Sequence, residues 1–196
     1  MKVEIIKRET IFKGFFTLEK AELRFEKFDN TMSEQVSRLN VYRGDAVSVL
    51  LYDSGKKTFV FVKQFRYPIY TVEPENAWTV EAVAGSIEKD HTPVETAINE
   101  VEEEVGYRLE PHQLEYIGKC YPSPGGTSER IYLYIADIAG CSRANGGGLD
   151  HEVEDIEVVE LGYVETFDKI KSFDICDAKT LISLSHFKSF LGTKKP

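Results

Sequence analysis

"EAVAGSIEKDHTPVETAINEVEEEVGYRLE", residues 81–110, decides how this chain is read. Its centre carries the marks of a helix with defined ends. Thr92 is placed to cap the N-terminus, Pro93 suits the first helical position, and Glu95, three residues after Thr92, completes a capping box. Gly106 suits the C-terminal end. The spacing predicts a helix over 93–106 with Val94, Ala97, Ile98, Val101 and Val105 on one apolar stripe. Glu100, Glu103 and Glu104 fall together beside that stripe, while Glu102 points away. Carboxylates at this spacing repel by roughly a few tenths of a kcal/mol per pair on an exposed helix, and by more when partly buried. A solvated acidic face is the plain alternative. Three carboxylates that adjoin the core stripe point instead to a hard-cation site, because Mg²⁺ takes oxygen ligands, keeps several waters and favours phosphate as a co-ligand.

The surrounding chain has room for one main domain and a small addition: 196 residues, 42% of them hydrophobic. A formal charge of −9 leaves no excess of Lys and Arg to displace counterions, which argues against a nucleic-acid partner. No apolar run is long enough to span a membrane, and the N-terminus does not read as a signal peptide. Cys120, Cys141 and Cys176 lack CxxC spacing and read as reduced thiols of a cytoplasmic protein. "AELRFEKF" (21–28) and "SEQVSRLNVYR" (33–43) alternate polar and apolar residues around a "DNTM" turn, a hairpin too short to be stable alone. Strands are expected at 45–53, 57–66, 78–85, 114–121, 130–138 and 155–164, and helices near 166–172 and 178–191. The class is α+β with a mixed sheet. "RANGGGLDHEVED" (143–155) is a glycine-rich, acidic loop between strands.

The stretch from Ala84 to Tyr107 resembles the Nudix box: Gly85, Glu100, Val101, Glu103, Glu104, Gly106 and Tyr107 all fall in register. Beyond the box, "VEIIKRETIFKGFF", "KQFRY", "AVAG", "SPGGTSER" and "GGGLDHEVEDIEV" are similar to the ADP-ribose pyrophosphatase and nucleoside-diphosphate-sugar pyrophosphatase branch of the Nudix superfamily. "RANGGG" is more similar to the relatives in that branch that hydrolyse GDP-mannose. The resemblance implies a Nudix fold, a mixed β-sheet sandwiched by helices with a small N-terminal antiparallel β domain. Residues 1–43 would be a β-hairpin dimerisation region and 44–196 the hydrolase domain, in a homodimer. It implies hydrolysis of the diphosphate linkage of ADP-ribose or a related nucleotide sugar, with Mg²⁺ as cofactor and Mn²⁺ as the alternative ion. The metal ligands would be the Ala84 carbonyl, Glu100, Glu104 and, from the loop, Glu154. Glu103 would be a further ligand or a partner of one, and Glu152 the catalytic base. Arg66 would bind phosphate, Glu129 would contact substrate or Arg66, and Phe15 with Arg38 would clamp the nucleobase.

Two box positions depart from the pattern. His91 stands where the box has a glutamate, and Asn99 where it has the arginine that pairs with that glutamate. The joint change reads as a neutral pair in place of a charged one, with the Asn99 amide donating to His91 or Glu103. It keeps open a second class of function, a catalytically weakened Nudix module that binds a nucleotide sugar as a sensor.

Overall fold

The computed structural model describes residues 1–144 and 155–193, with side chains through Ser189. The chain divides into two compact units, one of Met1–Gly44 with Tyr121–Arg130, the other of Asp45–Cys120 with Ile131–Pro196.

The first unit is a three-stranded antiparallel sheet, β1 (Val3–Lys13), β2 (Thr17–Phe25) and β3 (Val36–Tyr42), with β2 in the middle. The expected hairpin is its β2–β3 half, and the turn is where the sequence puts it. Asp29 Oδ1 accepts from both the backbone N and Oγ1 of Thr31, at 2.9 and 2.6 Å, and Asn30 takes a left-handed φ of 63°. The additional strand β1 pairs from Val3 opposite Phe25 to Lys13 opposite Thr17, through two irregularities. The excursion Tyr121–Arg130, expected with the hydrolase domain, instead packs in this unit. The Val41 N–H donates to the Gly126 carbonyl at 2.9 Å, and Arg43 meets Glu129 at 3.3 Å. Val3, Ile5, Ile6, Ile11 and Phe12 of β1 are all exposed.

The second unit is a layered sandwich. Its strands are β4 (Ala46–Asp53), β5 (Thr58–Phe65), β6 (Trp78–Glu81), β7 (Val83–Ser86), β8 (Glu115–Cys120), β9 (Ile131–Asp137) and β10 (Glu157–Gly162). Its helices are α1 (Tyr67–Tyr70), α2 (Pro93–Glu100), α3 (Tyr163–Lys171) and α4 (Ala178–Thr193). The sheet runs β10-β5-β4-β9-β8, with β6 paired to β5 and β7 to β4. The β4–β9 pair is parallel and the other pairs are antiparallel. The centres of β4 and β5, Val49–Leu51 and Phe59–Val62, are continuous apolar runs because both of their faces are buried. Val47, Val49, Leu51, Val60 and Val62 pack with Ala97, Val101 and Val105 on one side. Leu50, Phe59 and Phe61 pack with Ile175, Leu184 and Phe187 on the other. Each fully buried side chain of this size contributes roughly 1.5–3 kcal/mol. No described helix is long and apolar enough to cross a membrane.

Two expected elements change and one is added. The strand over 78–85 is two strands, because the Ala82 N–H leaves the ladder and donates to Thr180 Oγ1 at 2.7 Å. At that break the chain passes from β5 to β4 as its neighbour. The helix over 93–106 is α-helical only to Glu100, and Val101–Val105 forms a π-helical turn. The "YPIY" segment forms the short helix α1, which its composition did not signal.

Candidate active site

The capping box starts α2 where the sequence places it. The Thr92 N–H donates to Glu95 at 2.8 Å, the Glu95 N–H donates to Thr92 Oγ1 at 3.3 Å, and Pro93 follows the cap. These bonds from Thr92 hold the Glu95 carboxyl below its usual range. Gly106 closes the far end at φ 77°, its N–H donating to the Glu102 carbonyl at 3.0 Å. Between them, the π-helical turn sorts the acids differently from a regular α-helix. A wider turn rotates each following side chain, and such turns concentrate at functional sites. Glu104 is 3% exposed and Glu100 is half-buried, whereas Glu103 is exposed. Glu102 pairs with Arg108 at 2.7 Å.

Glu100 and Glu104 are brought to β7. The Ala84 N–H donates to Glu104 at 3.3 Å. A Cβ built on Gly85 would lie 1.6 Å from a carboxylate oxygen of Glu100, so that carboxylate occupies the space a side chain would fill. This close approach is the reason for glycine here. Gly85→Ala displaces the flexible end of Glu100 and leaves the backbone alone. Its expected result is a fall in kcat of roughly 10–10²-fold with little change in Tm. Unchanged kcat would separate Glu100 from the chemistry.

Arg66, at the end of β5, has a partner that sequence reading missed. Its Nε and Nη2 donate to the two oxygens of Glu81 at 2.8 and 2.9 Å, a bidentate fork. Glu81 is 3% exposed and also takes Lys179 Nζ at 2.5 Å and the Thr79 hydroxyl. Lys179 in turn reaches Asp177 at 3.0 Å. Burial alone would raise the Glu81 pKa, but Arg66 and Lys179 outweigh it and hold the carboxyl down at about 2. Burial works against the Arg66 charge as well; Glu81 first, then Glu104 and Asp177, keep the guanidinium firmly protonated. Glu81 lies three residues before Ala84, so one short β6–β7 run carries both the anchor of Arg66 and the backbone N–H that meets Glu104.

The remaining expected residues are placed as follows. Glu129 is buried and pairs with Arg43, so the carboxylate partner of Arg66 is Glu81. Phe15 stands at the β1–β2 turn, 93% exposed, in edge contact with Phe16 at 4.8 Å. Arg38 is exposed on β3, opposite Ala21, and donates to the Ser37 carbonyl at 2.9 Å. Ala21 lies four residues along β2 from Thr17, so roughly 13 Å of strand separates the turn from Arg38. The sheet does not bring the two together within one chain. The arginine–aromatic contact in this unit is Arg43 over Phe16, at 5.3 Å. His91 Nδ1 faces Glu88 at 3.8 Å, and no described hydrogen bond joins Asn99 to His91 or Glu103. The neutral-pair reading is therefore corrected: His91 precedes the cap and turns back to its own loop, while Asn99 is exposed on α2. Glu152 and Glu154 lie outside the described residues. Just before that segment, Arg143 donates to the Val105 carbonyl at 3.0 Å and lies 5.7 Å from the Tyr107 ring, at the C-terminal end of the acidic helix.

Among the described residues, no group of three or more His, Cys, Asp or Glu side chains is gathered to hold a metal by itself. Two buried or half-buried carboxylates against a backbone strand do fit Mg²⁺. That ion rarely uses a complete protein cage and fills its octahedron with water and phosphate oxygens. The set contains only oxygen donors, and the space over Gly85 is already shaped around one of them.

The Nudix domain family matches residues 42–179. A GDP-mannose pyrophosphatase of Cronobacter sakazakii is 35% identical over 96% of this chain and 96% of its own length. That of Pectobacterium atrosepticum is 34% identical over 94% and 93%, and that of Escherichia coli K12 is 32% identical over 96% of each. A solved structure described as an ADP compounds hydrolase superposes with a TM-score of 0.75, covering 99% of this chain and 96% of that one, at 18% identity, a likeness of fold. With the box glutamates seated against Ala84 and Gly85 as the sheet requires, and a family match across most of its length, the chain belongs to the Nudix family and is a Nudix hydrolase.

Proposed function

We propose that the protein hydrolyses the diphosphate linkage of a nucleoside diphosphate sugar, giving a nucleoside monophosphate and a sugar phosphate. The observation that carries this reading is the pairing of Glu100 and Glu104 against Ala84 and Gly85, on the same β6–β7 run whose Glu81 anchors Arg66. A diphosphate needs two things that this arrangement supplies, oxygen ligands for a hard cation and a guanidinium for a phosphate oxygen. The Ala84 carbonyl, Glu100 and Glu104 would hold Mg²⁺, with Mn²⁺ as a substitute. When bound, the ion supplies positive charge to the diphosphate oxygens and to the attacking water. Arg66 binds one phosphate and orients it. Glu152 accepts the proton of the water as it attacks phosphorus, and the P–O bond to the other phosphate breaks. Glu154 completes the oxygen ligands, and Glu103 acts as a further ligand or as the partner of one. Glu129, Phe15 and Arg38 belong to substrate recognition.

Among nucleotide sugars, the relatives named GDP-mannose pyrophosphatase favour GDP-mannose over ADP-ribose, since they match nearly the whole chain. The test is a panel of GDP-mannose, ADP-ribose, UDP-glucose and ADP-glucose at equal concentration with Mg²⁺. GDP-mannose is expected to give a kcat/KM at least about 10-fold above the others. A larger value for ADP-ribose would reverse the preference.

The protein also acts as a homodimer in this reading. The exposed apolar residues of β1 and its turn support it, because a run of this kind on a small sheet calls for cover. Phe15 or Arg38 would then serve the partner's site. Sedimentation equilibrium should give twice the chain mass, and Phe12→Lys with Ile5→Lys should shift it towards the monomer; a wild-type monomer at micromolar concentration rejects the dimer.

A further inference from the structure

We infer that Glu81 is the positioning residue of the phosphate-binding arginine: a buried anion that fixes the plane of the Arg66 guanidinium at the end of β5 and takes no part in the chemistry itself. The inference rests on the proposed role of Arg66. Glu81 is among the most deeply buried acids described, and its surroundings satisfy it fully. One oxygen takes Arg66 Nε and the Thr79 hydroxyl, and the other takes Arg66 Nη2 and Lys179. The remaining side of the cluster is held by Asp177, which pairs with Lys179 at 3.0 Å and accepts from the Thr180 N and Oγ1 at 3.0 and 2.6 Å. Thr180 Oγ1 accepts from the Ala82 N–H, the group released where β6 gives way to β7. One network thus spans the end of β5, the break between β6 and β7, and the start of α4.

The geometry matters because Arg66 itself is only partly covered, with 38% of its side chain exposed. A long side chain in that position has many rotamers unless something holds it. The bidentate fork uses Nε and Nη2 and so fixes the plane of the guanidinium. Nη1 lies outside the contact with Glu81 and is the edge free of that fork. Glu81 is three residues before Ala84 and four before Gly85, on the same β6–β7 run. The segment that seats Glu100 and Glu104 therefore also carries the anion that sets Arg66. A shift of that segment moves the cation and the carboxylates together, so their spacing is kept.

The test compares Glu81→Gln, Glu81→Asp, Arg66→Lys and the double variant Glu81→Gln, Arg66→Lys. Two readouts are used: steady-state kinetics on GDP-mannose with Mg²⁺, and calorimetric titration of inorganic pyrophosphate without metal. Thermal unfolding checks that each variant is folded at the assay temperature, and Glu81→Asp keeps the buried charge should the Gln variant fail to fold. Glu81→Gln and Glu81→Asp are expected to lower kcat/KM by roughly 10–10²-fold and to weaken pyrophosphate binding. The double variant should be no worse than Arg66→Lys alone, because the second change removes support from an arginine already absent. Folded Glu81 variants with wild-type kcat/KM and pyrophosphate binding, beside an impaired Arg66→Lys, overturn the inference and leave the role of Arg66 standing. Losses that multiply in the double variant also overturn it. Wild-type behaviour of Arg66→Lys in both readouts removes the premise instead, so the two failures are told apart. The pyrophosphate titration reads Arg66 whether or not GDP-mannose is the substrate.

Discussion

Replacing Glu104 by Gln is expected to lower kcat by roughly 10²-fold or more while the protein remains folded. The side chain is nearly fully buried and accepts from the Ala84 N–H at 3.3 Å. A glutamine amide keeps an oxygen for that bond, so the packing of the π-helical turn against β7 is preserved. The change removes one negative charge from the proposed ligand set and from the field acting on Arg66. A ligand lost from a hard-cation site weakens the stabilisation of charge that builds on the diphosphate. The measurement is kcat against Mg²⁺ concentration. A variant with near-wild-type kcat at every concentration would show that Glu104 is no ligand.

The second large effect concerns stability in acid. Glu81 is held at about 2 in the folded protein against an ordinary value of 4.5. A depressed carboxyl stabilises the fold above its unfolded value, and that contribution is lost as pH falls through the folded value. The window therefore runs from about pH 4.5 down to about pH 2. At roughly 1.4 kcal/mol per pH unit, the contribution is about 3 kcal/mol. Removing the charge also leaves Lys179 buried with Asp177 as its remaining carboxylate partner, which adds to the cost. Urea unfolding of the wild type and Glu81→Gln across pH 2–7 checks this. The variant should lie at least about 3 kcal/mol below the wild type near neutrality, and the gap should close towards pH 2. A constant gap across the range would mean that the lost stability is packing and not charge.

The legible parts of this protein were those set by local rules. The capping box at Thr92, the closing glycine at 106 and the core contacts of Val94, Ala97, Val101 and Val105 follow from neighbouring residues, and each is observed. So is the turn at 29–31, where Asp29 bonds two residues ahead. What escaped depends on contacts distant in sequence. Nothing near Ala82 announces a strand break, since the group that draws its N–H away is Thr180, 98 residues later. Lys179 likewise lies 98 residues beyond Glu81. The first acid of "EAVAG" reads locally as one more strand residue, because the groups it binds, Arg66 and Lys179, lie 15 and 98 residues away. The π-helical turn escaped because one added residue per turn is invisible to a stripe fitted at the α period. Glu102, Glu103 and Glu104 were accordingly sorted by an α register that the structure does not keep. Arg66 is legible through the resemblance carried by "KQFRY"; its anchoring by Glu81 is not.

The most direct test of the central claim is the identity of the products. Incubation of the protein with GDP-mannose and Mg²⁺, followed by anion-exchange separation, should yield GMP and mannose 1-phosphate in equal amounts, with no turnover after chelation of the divalent ion. Formation of GDP and free mannose would place the cleavage at the sugar's link to the diphosphate, outside the P–O–P bridge, and contradict the account. So would the absence of cleavage of every nucleotide sugar in the panel.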